Sequence, residues 1–264
     1  MKSVEKMKLI LTNRNYSKRT IDTYIHYLEK ALKSIGKNPY HITLKDIEVY
    51  LLKQEFSSIS QQNQIIGSLK LFAKYILGKK DVHLDKIERP RKEKKLPKVI
   101  DGDLLKKKIL SIENLKHKAI LSLGFSCALR VSEVINLKMS CIDRKRMVIF
   151  IENAKGKKDR VVKMSNVVLG ILDEYYKSYK PKEYLFNGHY GDKYSSGSCN
   201  KLMKKYIGDD TSFHLLRHSG ATVLHEKGLD IMVLSKLLGH NSVKTTQIYT
   251  HISNRRIENI VAPL

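Results

Sequence analysis

The sequence predicts a mainly α fold with a small antiparallel sheet, organised as an N-terminal helical bundle and a larger C-terminal domain. Three observations lead to this prediction. Apolar residues recur at helical spacing along most of the 264 residues, one short region alternates like a β-hairpin, and a segment rich in proline and lysine interrupts the helical pattern. We therefore expect a helical domain at 1–87, a basic linker at 88–100 and a second domain at 101–264.

The N-terminal domain is predicted to contain about four helices. The first of them is a short amphipathic helix within residues 1–15. From Ser17 onward, apolar residues follow the i, i+3, i+4, i+7 spacing of a second helix, which ends at Gly36. A third helix begins at Thr43 and a fourth spans 58–77. The apolar stripes of these helices are expected to enclose one small core.

The linker ERPRKEKKLPKVI contains two prolines, which break helices, and a charge density that prevents burial. After it, Asp101 or Asp103 begins a helix, and HKAILSLGFSCALRVSEVINL gives a buried helix followed by a short one. Strands at 147–151 and 160–164 are joined by a lysine-rich turn and form the hairpin. Further helices are predicted near 165–178, 197–207, 212–226 and 229–238.

The charge of the chain indicates a polyanionic partner. Lys and Arg together number 50 against 26 Asp and Glu, which gives a net charge of +24 spread along the whole sequence. A distributed positive field suits a nucleic acid, because every neutralised phosphate releases counterions. A merely basic protein has a similar composition. A membrane surface is disfavoured as a partner, because the sequence shows no strongly basic amphipathic segment with aromatic anchors.

The compartment predicted from the sequence is the cytoplasm. Cys127, Cys141 and Cys199 are widely spaced, which argues against a disulfide framework and against a cysteine zinc site. The N-terminus lacks the apolar region and cleavage site of a signal peptide, and no apolar run approaches the length of a membrane span. We therefore expect a protein that works in a reducing environment without a membrane.

The segment FHLLRHSGAT, residues 213–222, places His214, Arg217 and His218 close together on a predicted helix. A metal site, a buried histidine cluster and a clamp for an anion are three interpretations of this pattern. Zinc is disfavoured because a cation, rather than an acidic residue, lies between the two histidines. His214 and Arg217 share one helix face, which favours the anion clamp, and His218 is assigned to support of the helix.

Other residues capable of chemistry occur on both sides of this segment. ALRVSE supplies Arg130 and Glu133, the turn AKGKKDR supplies Lys155, and LGH supplies His240, nine residues before Tyr249. Together with H-x-x-R-H, their order and spacing resemble the tyrosine recombinases, the phage-integrase family, and in particular its Xer-like members. The resemblance covers nearly the whole chain. It implies a SAM-like core-binding bundle followed by a catalytic domain, in agreement with the two predicted domains.

The resemblance also implies a mechanism. Tyr249 would attack a DNA phosphodiester and form a 3′-phosphotyrosyl intermediate, while Arg130 and Arg217 fork onto the phosphate oxygens. His214 and His240 would add hydrogen bonds to the same oxygens, and His214 would help to take the tyrosine proton. Because the phosphotyrosyl ester stores the energy of the cleaved bond, no metal, ATP or other cofactor is expected.

Two supporting roles follow from the same resemblance. Lys155 is favoured over Lys157 and Lys158 as the acid that protonates the leaving 5′ oxygen. Glu133 is expected to orient Arg130 or a neighbouring histidine rather than to touch the substrate.

The implied enzyme is a site-specific recombinase that acts on double-stranded DNA with a specific core site, as a homo-tetramer or as a hetero-tetramer with a paralogue, through a Holliday junction. Because the stretch before the core-binding pattern is short, we expect no arm-binding domain of the kind found in long integrases. The C-terminal segment ISNRRIENIVAPL would dock on a neighbouring subunit or on its own domain.

Two other classes of DNA-binding protein would account for many of the same residues. A type IB topoisomerase shares the chemistry but acts as a monomer. A non-catalytic DNA-binding protein would lack one of Arg130, Arg217 or Tyr249, and the sequence contains all three. Neither the DNA target nor the choice between dimer resolution and integration follows from the sequence.

Two positions depart from the family pattern. Ala128 replaces the glycine often found before the LR pair, and because alanine is small, close helix packing is expected to survive. Gly220 stands where a larger residue is often found, and it is expected to loosen its helix.

Overall fold

The structure, a computed structural model, describes residues 3–79, 97–152, 159–188 and 193–250. The chain divides into two compact units, Met1–Lys94 and Lys95–Leu264, and each unit has its own buried apolar core. The predicted fold class is confirmed, because helices dominate both units and a small antiparallel sheet lies in the second. Most of the predicted linker 88–100 lies outside the described residues.

The described part of the first unit contains four α-helices and one 3-10 helix. They are α1 (Ser3–Asn13), α2 (Lys18–Ile35), a 3-10 helix (Pro39–His41), α3 (Leu44–Leu52) and α4 (Ile59–Tyr75). At the start of α2 the Ser17 hydroxyl accepts a hydrogen bond from the Thr20 N–H, and Gly36 ends the helix with a φ of 71°. A reciprocal capping box between Thr43 and Asp46 begins α3.

The described residues of the second unit contain the remaining helices and the sheet. Its helices are α5 (Gly102–Leu110), α6 (Leu115–Ser126), α7 (Val131–Ile135), α8 (Asn166–Tyr179), α9 (Ser196–Tyr206), α10 (Phe213–Glu226) and α11 (Ile231–Leu238). Three 3-10 helices cover Met139–Cys141, Val243–Thr245 and Gln247–Tyr249. No helix in the described ranges is long and apolar enough to cross a membrane.

The sheet has three antiparallel strands in the order β1 (Ile142–Asp143), β2 (Val148–Ile151) and β3 (Arg160–Lys163). The predicted hairpin is present as β2 and β3, whose register pairs Val148 with Lys163 and Ile151 with Arg160. The sequence prediction missed β1 because two residues are too short to show a period of two.

Helices α6 and α10 cross closely because Gly220 brings α10 onto the backbone of α6. A Cβ atom added at Gly220 would lie 2.0 Å from the Phe125 carbonyl oxygen. On the facing helix, a Cβ atom at Gly124 would lie 2.6 Å from the Phe213 ring. The expectation that Gly220 loosens its helix is therefore wrong, since the absent side chain permits the contact that fixes α10.

Ala128 adopts a left-handed backbone conformation, with a φ of 49°, in the turn between α6 and α7. It is fully buried, as the packing argument expected. The backbone angle, however, gives the stronger reason why glycine suits this position, because a Cβ atom is strained in the left-handed region. The carbonyl of the same residue accepts a hydrogen bond from Arg217, so this turn also shapes the site described next.

Candidate active site

Four parts of the second unit meet at one cluster of arginine, histidine and tyrosine side chains. These parts are the start of α7, one face of α10, the turn after α11 and the final 3-10 helix. Hydrogen bonds join Arg130 to Gly239, Arg217 to Leu238 and His240, and Tyr249 to His218.

Local sequence places each of these side chains. At α7, the carboxylate of Glu133 accepts a hydrogen bond of 2.8 Å from the Arg130 backbone N–H, as expected for an acidic residue in a first helical turn. On α10, the spacing of three and four residues puts His214 on the same face as Arg217 and His218. Helix α11 ends at Gly239, whose φ of 61° lets the chain turn directly into the next histidine.

Three successive carbonyl groups at the end of α11 each accept a hydrogen bond from a different guanidinium group. The pairs are Arg160 Nε with Leu237 O at 2.7 Å, Arg217 Nη2 with Leu238 O at 2.5 Å, and Arg130 Nη2 with Gly239 O at 3.0 Å. The last carbonyls of a helix carry partial negative charge, which the three cations offset. The end of α11 therefore holds three positive charges side by side.

Glu133 lies among these three guanidinium groups. Its carboxylate is 2.7 Å from Arg130 Nη1, accepts a fork of 2.8 Å and 2.7 Å from Arg160, and lies 3.9 Å from Arg217 Nη1. Burial alone would raise its pKa, but the hydrogen bonds and charge of Arg160, together with the backbone and side-chain hydrogen bonds from Arg130, lower the pKa to about 2. One carboxylate against three guanidinium groups leaves an excess of two positive charges, which suits an anionic phosphodiester.

Arg217 is the most enclosed of the three cations, with 1% of its side chain exposed. It donates to Ala128 O at 2.8 Å, and burial together with the charge of Arg130 lowers its pKa to about 10, so that it stays protonated at pH 7. Its Nη2 also lies 3.2 Å from His240 Nε2. Because a guanidinium group only donates, Nε2 accepts, and His240 Nδ1 therefore carries a proton toward the Thr246 hydroxyl at 2.8 Å.

His240 is neutral at pH 7 in this arrangement. Burial, followed by the charges of Arg217 and Arg130, lowers its pKa to about 4. Its two ring nitrogens have fixed partners, so the position of the ring is set by Arg217 on one side and by buried Thr246 on the other.

Tyr249 is buried, with 1% of the residue exposed, in an apolar cluster with Ala128, Ala221, Leu234 and Leu238. Burial raises the pKa of its phenol to about 12, although the charges of Arg217 and Arg130 oppose the rise. The hydroxyl lies 3.0 Å from Nδ1 of His218. The ring of His218 meets the exposed His214 ring edge-on, with 4.4 Å between centroids.

The structure brings together most of the residues singled out from the sequence. The cluster includes Arg130, Glu133, His214, Arg217, His240 and Tyr249. Lys155 lies outside the described residues. Glu133 contacts Arg130 directly, which is the geometry expected of an orienting residue.

Two members of the cluster were missed. The sequence analysis treated Arg160 only as part of the predicted hairpin, where a single cation is normally exposed to solvent. In the structure, however, only 7% of its side chain is exposed. His218 was assigned to support of the helix, whereas its ring contacts the Tyr249 hydroxyl. No local signal marks Arg160, since its partners lie on α7 and α11. The i+4 spacing from His214 was the one available signal for His218.

Comparisons with known proteins place both units of the chain in families. A family model described as the phage integrase family matches residues 101–256, and one described as the phage integrase N-terminal SAM-like domain matches residues 4–81. The chain is 34% identical over 267 residues to a protein named tyrosine recombinase XerA from Pyrococcus horikoshii, and the match covers 98% of this chain and 92% of that protein.

Two solved structures are similar to the chain along most of its length. A crystal structure of XerA recombinase superimposes with a TM-score of 0.56 at 29% identity, covering 97% of this chain and 95% of that one. A XerH site-specific recombinase bound to a palindromic difH substrate, in a post-cleavage complex, superimposes with a TM-score of 0.77. The XerH structure is 22% identical, and the match covers 97% of this chain and 83% of the other. At this identity, the similarity shows a shared fold.

Proposed function

Because the chain belongs to the phage integrase family of tyrosine recombinases, we propose that Tyr249 attacks DNA phosphodiesters held by Arg130 and Arg217. The chain is a site-specific DNA recombinase, an enzyme that cuts and rejoins DNA strands. The observation that carries the assignment is the location of Tyr249. Its hydroxyl lies against His218, one residue along α10 from Arg217.

The geometry supports a phosphate clamp built from the excess positive charge around Glu133. A transition state that gains charge on the non-bridging oxygens is stabilised by guanidinium groups that are already in place. Arg130, with 19% of its side chain exposed, and the exposed His214 are the first groups that DNA meets. An entering phosphate would raise the pKa of His240, so that its Nε2 donates to the phosphate instead of accepting from Arg217.

A phosphate can reach the clamp only after a conformational change on DNA binding. Arg217 and Tyr249 are each 1% exposed, so a phosphate reaches them only when the cluster opens. We propose that opening accompanies assembly of a tetramer on two DNA duplexes, as a homo-tetramer or with a paralogue, and that the enzyme acts in the cytoplasm. Strand exchange would then proceed in pairs through a Holliday junction. The uniform positive charge of the chain, +24 in total, supports extensive contact with the DNA backbone.

The assignment of the nucleophile is tested by trapping the covalent intermediate on a nicked suicide site. We expect Tyr249→Phe to abolish the DNA adduct completely while DNA binding is retained, because phenylalanine keeps the ring but has no attacking oxygen. The adduct is measured by denaturing gel electrophoresis. Tyr175→Phe, which removes another buried hydroxyl of the same unit, is the matched control and should retain the adduct. An adduct formed by the Tyr249→Phe variant would refute the assignment.

A separate experiment tests Lys155 as the acid for the leaving group. We expect Lys155→Ala to lower the cleavage rate about 100-fold or more on a normal site. Without the lysine, the 5′ oxygen must leave as an unprotonated alkoxide. A site with a 5′-thiol leaving group should restore the rate, since a thiolate leaves without a proton. Lys157→Ala and Lys158→Ala serve as controls from the same lysine-rich stretch of sequence. Failure of the thiol to restore cleavage would exclude Lys155 from this role.

A further inference from the structure

The hydrogen bond between Tyr249 and His218 has a defined direction. Because the pKa of the phenol is raised to about 12, by burial, Tyr249 keeps its proton at neutral pH. Burial, followed by the neighbouring His214 and Arg217, lowers the pKa of His218 to about 4. A protonated phenol therefore donates to Nδ1 of a neutral imidazole, whose own proton lies on Nε2.

Taking Tyr249 as the nucleophile of the proposed function, we infer that His218, rather than His214, accepts the phenolic proton during attack. The phenolic O–H bond breaks and its proton moves along the existing hydrogen bond, whose oxygen and nitrogen lie 3.0 Å apart, to Nδ1, which leaves His218 as an imidazolium. The phenolic oxygen forms a bond to phosphorus, and the bond from phosphorus to the 5′ oxygen breaks. That oxygen leaves with a proton from the general acid, and rejoining reverses every step.

The surroundings of His218 explain why the transfer waits for DNA. Among the described residues, the titratable and charged groups around it are Arg217 and His214 from its own helix, Tyr249 from the last described 3-10 helix and the more distant His240. Burial, followed by the charges of His214 and Arg217, disfavours an imidazolium at His218 in the free protein. A bound phosphodiester supplies the compensating negative charge, and the phenol becomes acidic as its bond to phosphorus forms. The resting tyrosine is thus both protonated and held in place.

His214 has a different position in the cluster. It is exposed, and its ring contacts the His218 ring at 81° between planes rather than the Tyr249 hydroxyl. Within the described part of the chain, the side chain hydrogen-bonded to that hydroxyl is His218. His214 is therefore placed to meet an incoming phosphate, and His218 to meet the nucleophile.

The dependence of cleavage on pH separates these two roles. His218→Asn preserves a polar group near the position of Nδ1 but removes its basicity, and His214→Asn is the matched control one helical turn away. Single-turnover formation of the covalent adduct is measured between pH 6 and 9 on a nicked site. For His218→Asn we expect a rate about 10²–10⁴-fold lower at pH 7, rising about tenfold per pH unit as the phenol ionises unaided. Wild type and His214→Asn should show no such slope.

The outcomes are distinguishable. A His218→Asn variant with the wild-type rate and a flat profile would overturn the inference, as would a tenfold slope for His214→Asn alone. Adduct formation by Tyr249→Phe in the same assay would instead refute the nucleophile itself, whatever His218 does. Circular dichroism and DNA binding establish that each variant folds.

A second measurement needs no substitution of His218. The imidazole nitrogens are observed by ¹⁵N NMR in the wild-type protein bound to nicked DNA with vanadate, which mimics the pentacoordinate phosphorus. We expect His218 Nδ1 to be unprotonated in the free protein and protonated in this complex. A His218 ring that remains neutral, with Nδ1 unprotonated, in the vanadate complex would contradict the proposed transfer.

Discussion

Replacing Gly220 by alanine is expected to destabilise the second unit by about 3 kcal/mol, even though alanine favours helices. The new methyl group would lie 2.0 Å from the carbonyl oxygen of Phe125, a backbone atom that moves only if α6 moves with it. Separation of α6 from α10 would also lengthen the bond of 2.8 Å between Arg217 and the Ala128 carbonyl. We therefore expect loss of cleavage activity together with loss of stability.

The free energy of unfolding, measured by urea denaturation, tests this expectation. Gly170→Ala is the matched control, because Gly170 lies inside α8 of the same unit and a Cβ atom there meets nothing within 4 Å. It should stabilise the protein by about 0.5–1 kcal/mol through helix propensity alone. Equal stabilisation by both substitutions would show that the contact between α6 and α10 tolerates a methyl group.

Replacing Arg160 by methionine is expected to cost about 3–5 kcal/mol of stability, because it leaves a buried carboxylate without its principal partner. Arg160 provides both arms of the fork on Glu133 and the hydrogen bond to Leu237 O. Its loss should raise the pKa of Glu133 from about 2. In wild type this lowered pKa contributes stability at neutral pH that is lost as pH falls through about 2. The variant should lose that contribution at higher pH.

Arg144→Met provides the control for this substitution. Arg144 pairs with Asp173 at 2.7 Å, but its side chain is 64% exposed, so its removal should cost less than about 1 kcal/mol. A double-mutant cycle with Glu133→Gln should show strong coupling between Glu133 and Arg160, since each is buried against the other. Additive effects of the two substitutions in urea denaturation would argue against the shared network.

The same network explains how the carboxylate of Glu133 holds two arginines of the clamp in position. Glu133 contacts Arg130 at 2.7 Å and lies 3.9 Å from Arg217, while Arg160 keeps it ionised. The guanidinium groups are thus held before DNA arrives, which reduces the reorganisation needed in the transition state. Arg160 acts on the reaction only through these neighbours, and it has no predicted contact with the phosphate.

The sequence by itself determined the class of the fold and the residue types of the site. Apolar periodicity and caps such as Ser17 placed the helices, because both are local properties of a short segment. The order and spacing of Arg130, Arg217, His240 and Tyr249 resemble those of the tyrosine recombinases, and that resemblance implied phosphoryl transfer, a chemistry that two guanidinium groups and a phenol suit.

Only the tertiary structure decided which of these residues touch. Arg160 and Glu133 are 27 positions apart, and His218 and Tyr249 are 31 positions apart, so helix periodicity relates neither pair. The need for glycine at position 220 depends on a carbonyl of another helix, and the strain at Ala128 depends on a turn between two packed helices. Such contacts are set by how helices cross. The sequence of one helix does not specify which helix it crosses. The contact between His218 and Tyr249 could therefore be identified only from the tertiary structure.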